Sequence, residues 1–267
     1  MRNKIFFCSD FHLGLDALET SKERERLILD WLSWIEPEAE ALYIVGDIFD
    51  FWFEYRHVVP KGGVRILAAL AALQDRGVPV TLFTGNHDQW MFGYFQEELG
   101  IPVYHDPIDK TLQTKKVMIG HGDGLGPGDQ GYKLIKKIFR HSVSRKLFGL
   151  IPPGLGIPLA RYWSGASRKK GKQENKFMGE ENEWLIQYGQ EQVKLYPNEM
   201  DYFIFGHRHL PMDWKLADGS RYINLGDWLR FHSYAILEGG DLTLAFYRSS
   251  LPTPVSNHLN LQNNQNV

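Results

Sequence analysis

The sequence predicts an α/β fold, and three observations support this. Short apolar runs that are typical of buried strands recur along the chain. Segments with the apolar spacing of helices lie between them, as expected of an α/β chain. The chain has 267 residues, of which 43% are hydrophobic and 13% aromatic, so it can bury a large core. We therefore expect one elaborated α/β domain.

The elements of the first half are predicted to alternate regularly. Strands are predicted at residues 5–7, 42–45, 80–83 and 117–119, and helices at residues 23–34, 64–76 and 90–99. Leu27, Trp31 and Trp34 share one face of the first helix. Gly77 and Pro79 end the second helix.

The region after residue 200 is predicted to be mainly strand. Strands are predicted at residues 203–205, 212–216, 221–224, 233–237 and 242–247. Residues 251–267 are rich in Asn and Gln and contain two prolines, so we predict a flexible tail. Residues 1–125 and 200–250 are expected to form the core, and residues 126–199 an inserted helical lid.

The sequence also predicts a cytoplasmic protein. No leading apolar segment resembles a signal peptide, and no stretch reaches the roughly 18 apolar residues needed to span a bilayer. Cys8 is the single cysteine, so no internal disulfide can form. Its place at the end of the first strand favours a packing role over a nucleophilic one.

Half of the ten histidines lie in five short blocks, each directly after a predicted strand. The blocks are Asp10-Phe11-His12, Gly46-Asp47, Gly85-Asn86-His87-Asp88, Gly120-His121 and Gly206-His207-Arg208-His209. Loops at strand ends carry function in α/β scaffolds, because they vary while the sheet holds position. We therefore expect these polar side chains to meet on one edge. The other histidines are predicted to be surface or satisfied residues: His57, His105, His141, His232 and His258.

This set of donors predicts a pair of divalent metal ions. Imidazole and carboxylate ligands without a thiolate suit Mn, Fe, Co or Zn better than Ca or Mg alone. Asp47 is the natural bridging ligand, because one carboxylate has two oxygens. The first ion is assigned Asp10, His12 and His209, and the second ion Asn86, His121 and His207.

The charge of such a site predicts its chemistry. Two divalent ions outweigh the carboxylates of Asp10 and Asp47, so the site suits an anionic phosphate ester or anhydride. Metal binding lowers the pKa of water from about 16 to about 7, and two ions roughly 3.5–4 Å apart can hold attacking and leaving oxygens in line. In the simpler alternative each block is an ordinary turn, which explains any one block but not the ordered set.

Together the blocks resemble the calcineurin-like metallophosphoesterase superfamily, over residues 1–125 and 200–247. The resemblance implies a sandwich of two mixed β-sheets flanked by helices, with a dinuclear site on the loops at the sheet ends. It also implies that His87 stabilises the transition state or protonates the leaving group. Asp88 would then orient the His87 imidazole.

The segment after His121 has an unusual charge. Residues 130–173 contain eleven Lys and Arg and no Asp or Glu. Residues 133–148 have a helical period that separates apolar from basic side chains, and residues 148–158 are predicted to be an apolar loop. Such a basic, amphipathic segment with adjacent aromatics is typical of membrane surfaces and anionic lipids. The alternative is an ordinary helical cap with solvated charges.

A closer resemblance is to the UDP-2,3-diacylglucosamine diphosphatase family of lipid A biosynthesis. It rests on Asp47-Ile-Phe-Asp-Phe-Trp, on His121-Gly-Asp-Gly-Leu and on Asp129 and Tyr132 further along. It implies hydrolysis of the substrate pyrophosphate to UMP and 2,3-diacylglucosamine 1-phosphate, with two divalent ions, Mn²⁺ being the expected metal. It also implies an amphiphilic nucleotide-sugar lipid as substrate. The resemblance further implies that the protein attaches peripherally to the inner face of the cytoplasmic membrane.

The same resemblance implies a lid chamber for the acyl chains. Its candidate substrate-binding residues are Asp129, Tyr132, Arg161, Ser164, Ser167, Arg168 and Lys172. The chain departs from the family at His87, where the best-known members carry arginine. This departure does not change the expected hydrolytic chemistry, but it affects which substrate is expected. Neither a nucleic-acid ligand nor an obligate protein partner is expected.

Three alternatives remain open at this point. A phosphoesterase for soluble phosphoproteins, cyclic nucleotides or dinucleoside polyphosphates has no use for an apolar, cationic lid. A nuclease would use the basic charge for phosphate contacts, but an extended groove would suit it better than an apolar cap. A non-enzymatic scaffold with a relic site is disfavoured by the intact set of ligands.

Overall fold

A computed structural model describes residues 2–127, 130–170, 176–248 and 254–258, and for residues 161 and 163–170 it describes the backbone alone. The strands are β1 (Lys4–Cys8), β2 (Ala39–Val45), β3 (Val80–Phe83), β4 (Val103–Tyr104), β5 (Ile108–Leu112), β6 (Lys115–Gly120), β7 (Tyr202–Phe205), β8 (Pro211–Lys215), β9 (Arg221–Leu225), β10 (Ser233–Glu238), β11 (Asp241–Phe246) and β12 (Val255–Ser256). The helices are α1 (Ser21–Ile35), α2 (Val64–Asp75), α3 (Tyr94–Leu99), α4 (Gln130–Arg140), α5 (Ser142–Gly149), α6 (Pro153–Lys170) and α7 (Trp184–Leu195).

The strands form two mixed sheets. The first has the order β11-β10-β1-β2-β3-β4, and the second β12-β8-β9-β7-β6-β5. In the first sheet β1, β2, β3 and β4 are parallel, and β10 is antiparallel to both neighbours. In the second sheet β6, β7 and β9 are parallel, β5 is antiparallel to β6, and β8 is antiparallel to β9 but parallel to β12. The predicted sandwich of two mixed sheets is confirmed.

The hydrophobic core has three layers that fix the sheets in place. Phe7 and Val45 of the first sheet pack between the sheets against Ile119 and Ile204 of the second. The outer face of the first sheet is covered by α1 and α2, and that of the second sheet by α7. Because β1, β2 and β3 are parallel, as are β6 and β7, the loops after them lie at one edge. This places all five blocks together.

Helix α1 shows how local sequence sets an element in this frame. Thr20 caps it, accepting from the backbone N–H of Glu23, while the Glu23 carboxylate accepts from the Thr20 N–H. Such a reciprocal capping box satisfies two donors that the helix would leave unpaired. Trp31 then packs edge-on against Phe6 of β1, as its place on the apolar face predicts.

Two helix predictions and one loop prediction need correction. Helix α3 begins at Tyr94 rather than residue 90, because the Glu54 carboxylate accepts the N–H groups of Phe92, Gly93 and Tyr94. The predicted helix over residues 133–148 is two helices, separated at His141, whose side chain caps α5. The predicted loop over residues 148–158 is wrong in its second half, where α6 begins. Pro153 suits the first turn of a helix, and Pro158 is accommodated inside α6.

The described part of the predicted tail contains an element that the sequence did not indicate. Val255 and Ser256 pair in parallel with β8. Asn257 then bonds both backbone groups of Lys215, at 2.8 and 3.0 Å, and His258 Nε2 lies 2.9 Å from Asp213 Oδ1. The extent of the lid and of the tail stays a prediction. Among the described helices, none is long and apolar enough to cross a bilayer.

Candidate metal centre

The first group of candidate ligands lies on the loops after β1, β2 and β7. His12 Nε2 is 3.6 Å from Asp10 Oδ1 and 3.6 Å from Asp47 Oδ2. His209 Nε2 is 3.3 Å from both Asp10 Oδ1 and His12 Nε2. The ligand atoms of Asp10, His12 and His209 all lie within 4.8 Å of one another, a spacing that one ion could bridge.

The second group surrounds the other side of Asp47. His121 Nε2 lies 3.4 Å from Asp47 Oδ2 and 3.3 Å from Asn86 Oδ1. The ring of His207 packs edge-on against that of His121, with centroids 5.1 Å apart. Asp47 Oδ2 therefore faces one imidazole from each group, which is the position expected of a bridging carboxylate.

The backbone of this edge is strained. Five candidate ligands adopt positive φ angles in the left-handed region: Asp10 (57°), His12 (45°), Asp47 (54°), His207 (67°) and His209 (53°). Residues other than glycine rarely adopt this region, at a cost of order 1–3 kcal/mol each, and such strain clusters at functional sites. The surrounding sheets must supply the energy that holds these side chains in place.

Two glycines permit the close approach of neighbouring loops. A Cβ atom on Gly85 would lie 2.1 Å from Asp47 Oδ1, and one on Gly206 would lie 2.6 Å from Asp10 Oδ2. These glycines immediately precede Asn86 and His207. Any side chain there would displace the carboxylates, so both glycines belong to the architecture of the site.

Two buried polar atoms at the centre fit a metal ion. Asp10 Oδ1 and Asp47 Oδ2 are shielded from solvent and form no hydrogen bond within the described residues. An unpaired buried carboxylate oxygen is costly, and a cation relieves that cost. Carboxylate, imidazole and amide donors in this arrangement suit a first-row divalent ion.

The protonation of the candidate ligands supports the same fit. Burial lowers the pKa of His12, but the neighbouring carboxylates of Asp10, Asp50 and Asp47 outweigh burial and raise it to about 10. Burial also opposes a proton on His121, yet Asp47 raises the pKa of His121 to about 10. The carboxylates thus favour a positive charge at these two imidazoles. A divalent ion supplies that charge when it displaces the proton.

Residues around the centre orient the candidate ligands. His121 Nδ1 lies 2.8 Å from the Val45 carbonyl, which directs Nε2 towards Asp47. His209 Nδ1 lies 3.2 Å from Asp227 Oδ2, an arrangement common in metal sites. Asp227 was missed in the sequence, although Gly226-Asp227 follows β9 as Gly46-Asp47 follows β2.

The expected role of Asp88 is wrong. Its carboxylate accepts backbone N–H groups from Gly85 and from three consecutive residues that begin at Asp47. It therefore braces the loop after β2 rather than the His87 imidazole. His87 Nδ1 instead lies 3.2 Å from the Asp50 carbonyl oxygen and 3.7 Å from the Asp50 carboxylate.

A buried ion pair, which the sequence does not indicate, joins the ligand loop to the end of the lid. Arg208 stands between His207 and His209, and its guanidinium bonds both carboxylate oxygens of Glu183, at 2.9 and 3.0 Å. Both side chains are 1% exposed. Glu183 directly precedes α7, and Arg208 also donates to the Lys176 carbonyl at 2.6 Å.

An apolar cavity of about 400 Å³ opens beside these ligands. Asn86 and His87 lie at its polar end, while Trp90, Ile138 and Phe139 form apolar walls. Trp90 Nε1 donates to the Phe139 carbonyl at 3.0 Å and so joins α4 to the core. The Trp90 and Phe148 rings stack at 5.0 Å.

The predicted lid residues have mixed outcomes. The Tyr132 hydroxyl donates to Asp123 Oδ2 at 2.6 Å, and its ring lies 6.4 Å from that of His207. Asp129 and Lys172 lie outside the described residues. So do the side chains of Arg161, Ser164, Ser167 and Arg168, whose backbone belongs to α6.

The basic side of α4 is not solvated, as the alternative of an ordinary helical cap would require. Lys133, Lys136 and Arg140 are half-buried and hold protein partners, whereas Leu134 and Ile138 are 60% and 50% exposed. Its basic side faces the core because carbonyls and carboxylates there accept its donors. The apolar side chains of Leu134 and Ile138 remain largely exposed, and Ile138 borders the apolar cavity.

This fold and this edge define a metal-dependent phosphoesterase. The family model of calcineurin-like phosphoesterases matches residues 3–211, and the chain belongs to that family. Membership implies divalent metal ions.

Similar proteins span nearly the whole chain. A UDP-2,3-diacylglucosamine hydrolase of Porphyromonas gingivalis is 40% identical over 91% of this chain and 97% of its own. Proteins of the same name from Pseudomonas savastanoi and Aeromonas hydrophila are 32% and 31% identical, over 85% and 89% of this chain and 88% and 96% of their own.

Proposed function

We propose that this protein hydrolyses the pyrophosphate of UDP-2,3-diacylglucosamine to UMP and 2,3-diacylglucosamine 1-phosphate. The observation that carries the proposal is an apolar cavity whose polar end is formed by Asn86 and His87, beside the candidate metal ligands. A substrate that is both phosphorylated and acylated matches both ends. The near full-length similarity to hydrolases of this name supports the same substrate.

Seven residues would hold two divalent ions, with Mn²⁺ as the expected metal. The proposed ligands are Asp10, His12, Asp47, Asn86, His121, His207 and His209. The ions supply Lewis acidity, which activates water near neutral pH and neutralises charge on the phosphate. The protein contributes the strained loops that fix the ligands.

His87 would stabilise the charge that develops on the phosphate or protonate the leaving group. The backbone N–H of His87 donates to Asp47 Oδ1 at 2.9 Å, so the position of this residue is tied to the bridging carboxylate. The Asp50 carboxylate beside its ring gives an imidazolium a negatively charged neighbour. A phosphomonoester leaving group has a second pKa of about 6, so a nearby cation suffices for it.

The lid would select the acyl chains. Each buried methylene contributes about 0.8 kcal/mol, so a cavity lined by Trp90, Ile138 and Phe139 could dominate the affinity. Tyr132 also lines this cavity, and it would contact the sugar phosphate near His87. The remaining candidates for this role are Asp129, Arg161, Ser164, Ser167, Arg168 and Lys172.

The outer surface of the lid would rest on the inner face of the cytoplasmic membrane. Leu147 of α5, Leu155 and Tyr162 of α6, and Leu150 between the two helices are 60–79% exposed. Exposed apolar groups near basic residues are typical of peripheral membrane binding. Flotation with anionic vesicles tests this, and reversal of Arg168, Lys169 and Lys170 to glutamate should reduce binding.

The decisive experiment compares three substrates on the Mn²⁺-loaded enzyme. We expect UDP-2,3-diacylglucosamine to be hydrolysed far more efficiently than the deacylated sugar nucleotide or a small chromogenic phosphodiester. Equal kcat/KM for the acylated and deacylated substrates would show that the lid does not bind lipid. The enzyme would then be a phosphoesterase of soluble nucleotides.

A further inference from the structure

A second cavity, of about 360 Å³, lies on the opposite side of α4 from the apolar one. Helix α4 forms one wall, the loop at residues 105–107 forms another, and His121 with Gly122 reaches it from the candidate metal centre. Its size falls within the range of about 300–1,000 Å³ that is usual for small-ligand sites. Both cavities therefore adjoin candidate metal ligands, and α4 separates them.

The two sides of α4 present opposite chemistry to the two cavities. Ile135, Ile138 and Phe139 line the apolar cavity. The second cavity is lined instead by the basic side chains of the same helix, which are Lys133, Lys136, Lys137 and Arg140. The helix thus partitions the space beside the metal centre into an apolar and a cationic compartment.

We propose that the cationic cavity receives the uridine monophosphate half of the substrate while the apolar cavity receives the diacylated half. The proposal rests on the proposed function, because only a substrate whose pyrophosphate joins a lipid to a nucleoside needs both compartments. Hydrolysis breaks the bond between the nucleotide phosphorus and the bridging oxygen, and the oxygen of water takes that place on the nucleotide phosphorus. The bridging oxygen leaves with the sugar phosphate, and the protons of water pass to the products and the solvent. The nucleotide then leaves from the cationic side.

The charges of the cavity suit such an anion. Its lining has four basic side chains against the carboxylates of Asp106 and Asp123, so the cavity carries net positive charge. Lys136 Nζ is held 2.6 Å from Asp123 Oδ2, and Arg140 is held 2.6 Å from Asp106 Oδ1. These ion pairs fix two of the basic groups around the space before a ligand arrives. Lys137 is the exposed member of the set.

The remaining walls offer surfaces for a nucleoside. The imidazole of His105 offers an aromatic ring on which a pyrimidine can stack, and Pro107 adds an apolar surface. Thr84 Oγ1 lies 3.3 Å from His105 Nδ1, which ties this imidazole to the end of β3. A nucleoside thereby gains both stacking and hydrogen-bonding groups beside the metal centre.

The test measures product inhibition of the Mn²⁺-loaded enzyme with a small chromogenic phosphodiester as substrate. UMP and inorganic phosphate are compared as inhibitors. Both bind the metal ions through phosphate, so this contribution cancels in the ratio of their inhibition constants. Lys137→Glu should weaken inhibition by UMP about tenfold or more, the loss expected for a charge-assisted contact. Gln130→Trp, which adds bulk to the lining of the cavity, should do the same.

The matched control is Lys146→Glu, which makes the same charge change on α5, away from the lining of this cavity. It should leave the ratio unchanged. If Lys137→Glu and Gln130→Trp leave inhibition by UMP unaltered, the nucleoside does not bind here. If phosphate and UMP weaken equally, the cavity attracts any anion and the assignment to a nucleoside is overturned.

Failure of the proposed function would be visible separately. If the enzyme does not hydrolyse UDP-2,3-diacylglucosamine, the proposed function is wrong, whatever the inhibition by UMP. An enzyme that hydrolyses it, but whose inhibition by UMP survives both variants, retains the function and loses only this cavity assignment.

Discussion

The loops at the sheet edge are held by many backbone hydrogen bonds, whereas the lid is held by a few side-chain contacts. In the loops, buried carboxylates take several backbone N–H groups, and five candidate ligands sit in strained backbone. In the lid, α4 is joined to the core by a few long side chains and exposes Leu134 at 60%. The comparison indicates that hydrolysis depends on the loops at the sheet edge, which form a rigid edge. Substrate choice depends on the lid, which is a looser cover. Substitutions in these loops should therefore change turnover and metal content, and substitutions in the lid should change substrate selectivity.

The largest effect is expected at Asp47. Its Oδ2 faces imidazoles of both groups, so Asp47→Ala should abolish hydrolysis and reduce bound metal to one ion per chain or none. Elemental analysis of the purified protein measures this, with circular dichroism as a check on folding. Asp75→Ala, an exposed carboxylate at the end of α2, is the matched control and should retain two ions. Two retained ions and normal turnover in Asp47→Ala would rule out a bridging role.

The next largest effect is expected at His87. His87→Ala should reduce kcat by roughly 10²–10⁴-fold, the range for a lost general acid or charge stabiliser, with metal content unchanged. His87→Arg should recover part of this loss with a phosphomonoester leaving group and little with an alkoxide. Rates for the two leaving groups measure the difference. Equal recovery on both would show that His87 does not respond to leaving-group pKa.

The Arg208–Glu183 pair tests whether the lid end stabilises the rigid edge. Glu183→Gln and Arg208→Lys should each weaken metal affinity by about 10–100-fold, the usual cost of disturbing residues that orient metal ligands. The measurement is a metal titration of the apoprotein, followed by thermal unfolding. The control is the pair of Arg221 and Asp213, which is also bidentate but lies on β8 and β9. If Arg221→Lys lowers metal affinity as much as Arg208→Lys does, the effect is general loss of stability.

Much of the rigid edge could be predicted because its signals are local. Each block directly follows an apolar run that becomes a strand, so sequence order alone places Asp10 and Asp47 at neighbouring strand ends. The partners of Asp88 and Arg208 could not be predicted in this way. Asp88 bonds the backbone of residues about forty positions earlier, and Glu183 lies 25 positions from Arg208. Such pairings exist only once the sheets are assembled.

The lid was harder to predict because its local signals conflict with its tertiary setting. Gly154, Gly156 and Pro158 disfavour a helix, yet packing against the core carries α6 through all three. Gly156 shows why, since a Cβ there would lie 2.5 Å from the Tyr55 hydroxyl oxygen. Amphipathic patterning located α4 but not which side faces inward. The polar partners of Lys136 and Arg140 decided that.

The smallest effect is expected from the apolar wall of the lid. Phe139→Ser removes a ring from the cavity without touching a candidate metal ligand, so kcat for a small chromogenic phosphodiester should stay unchanged. Loss of contact with about two methylenes, at about 0.8 kcal/mol each, would raise KM for UDP-2,3-diacylglucosamine roughly tenfold. Phe148→Ser should act in the same direction, because Phe148 supports Trp90 in that wall. Phe92→Ser changes a 43% exposed ring outside the cavity lining and should leave both substrates unaffected. A fall in kcat on both substrates would mean that the lid also positions the reacting groups, and the division between a catalytic edge and a selective cover would no longer hold.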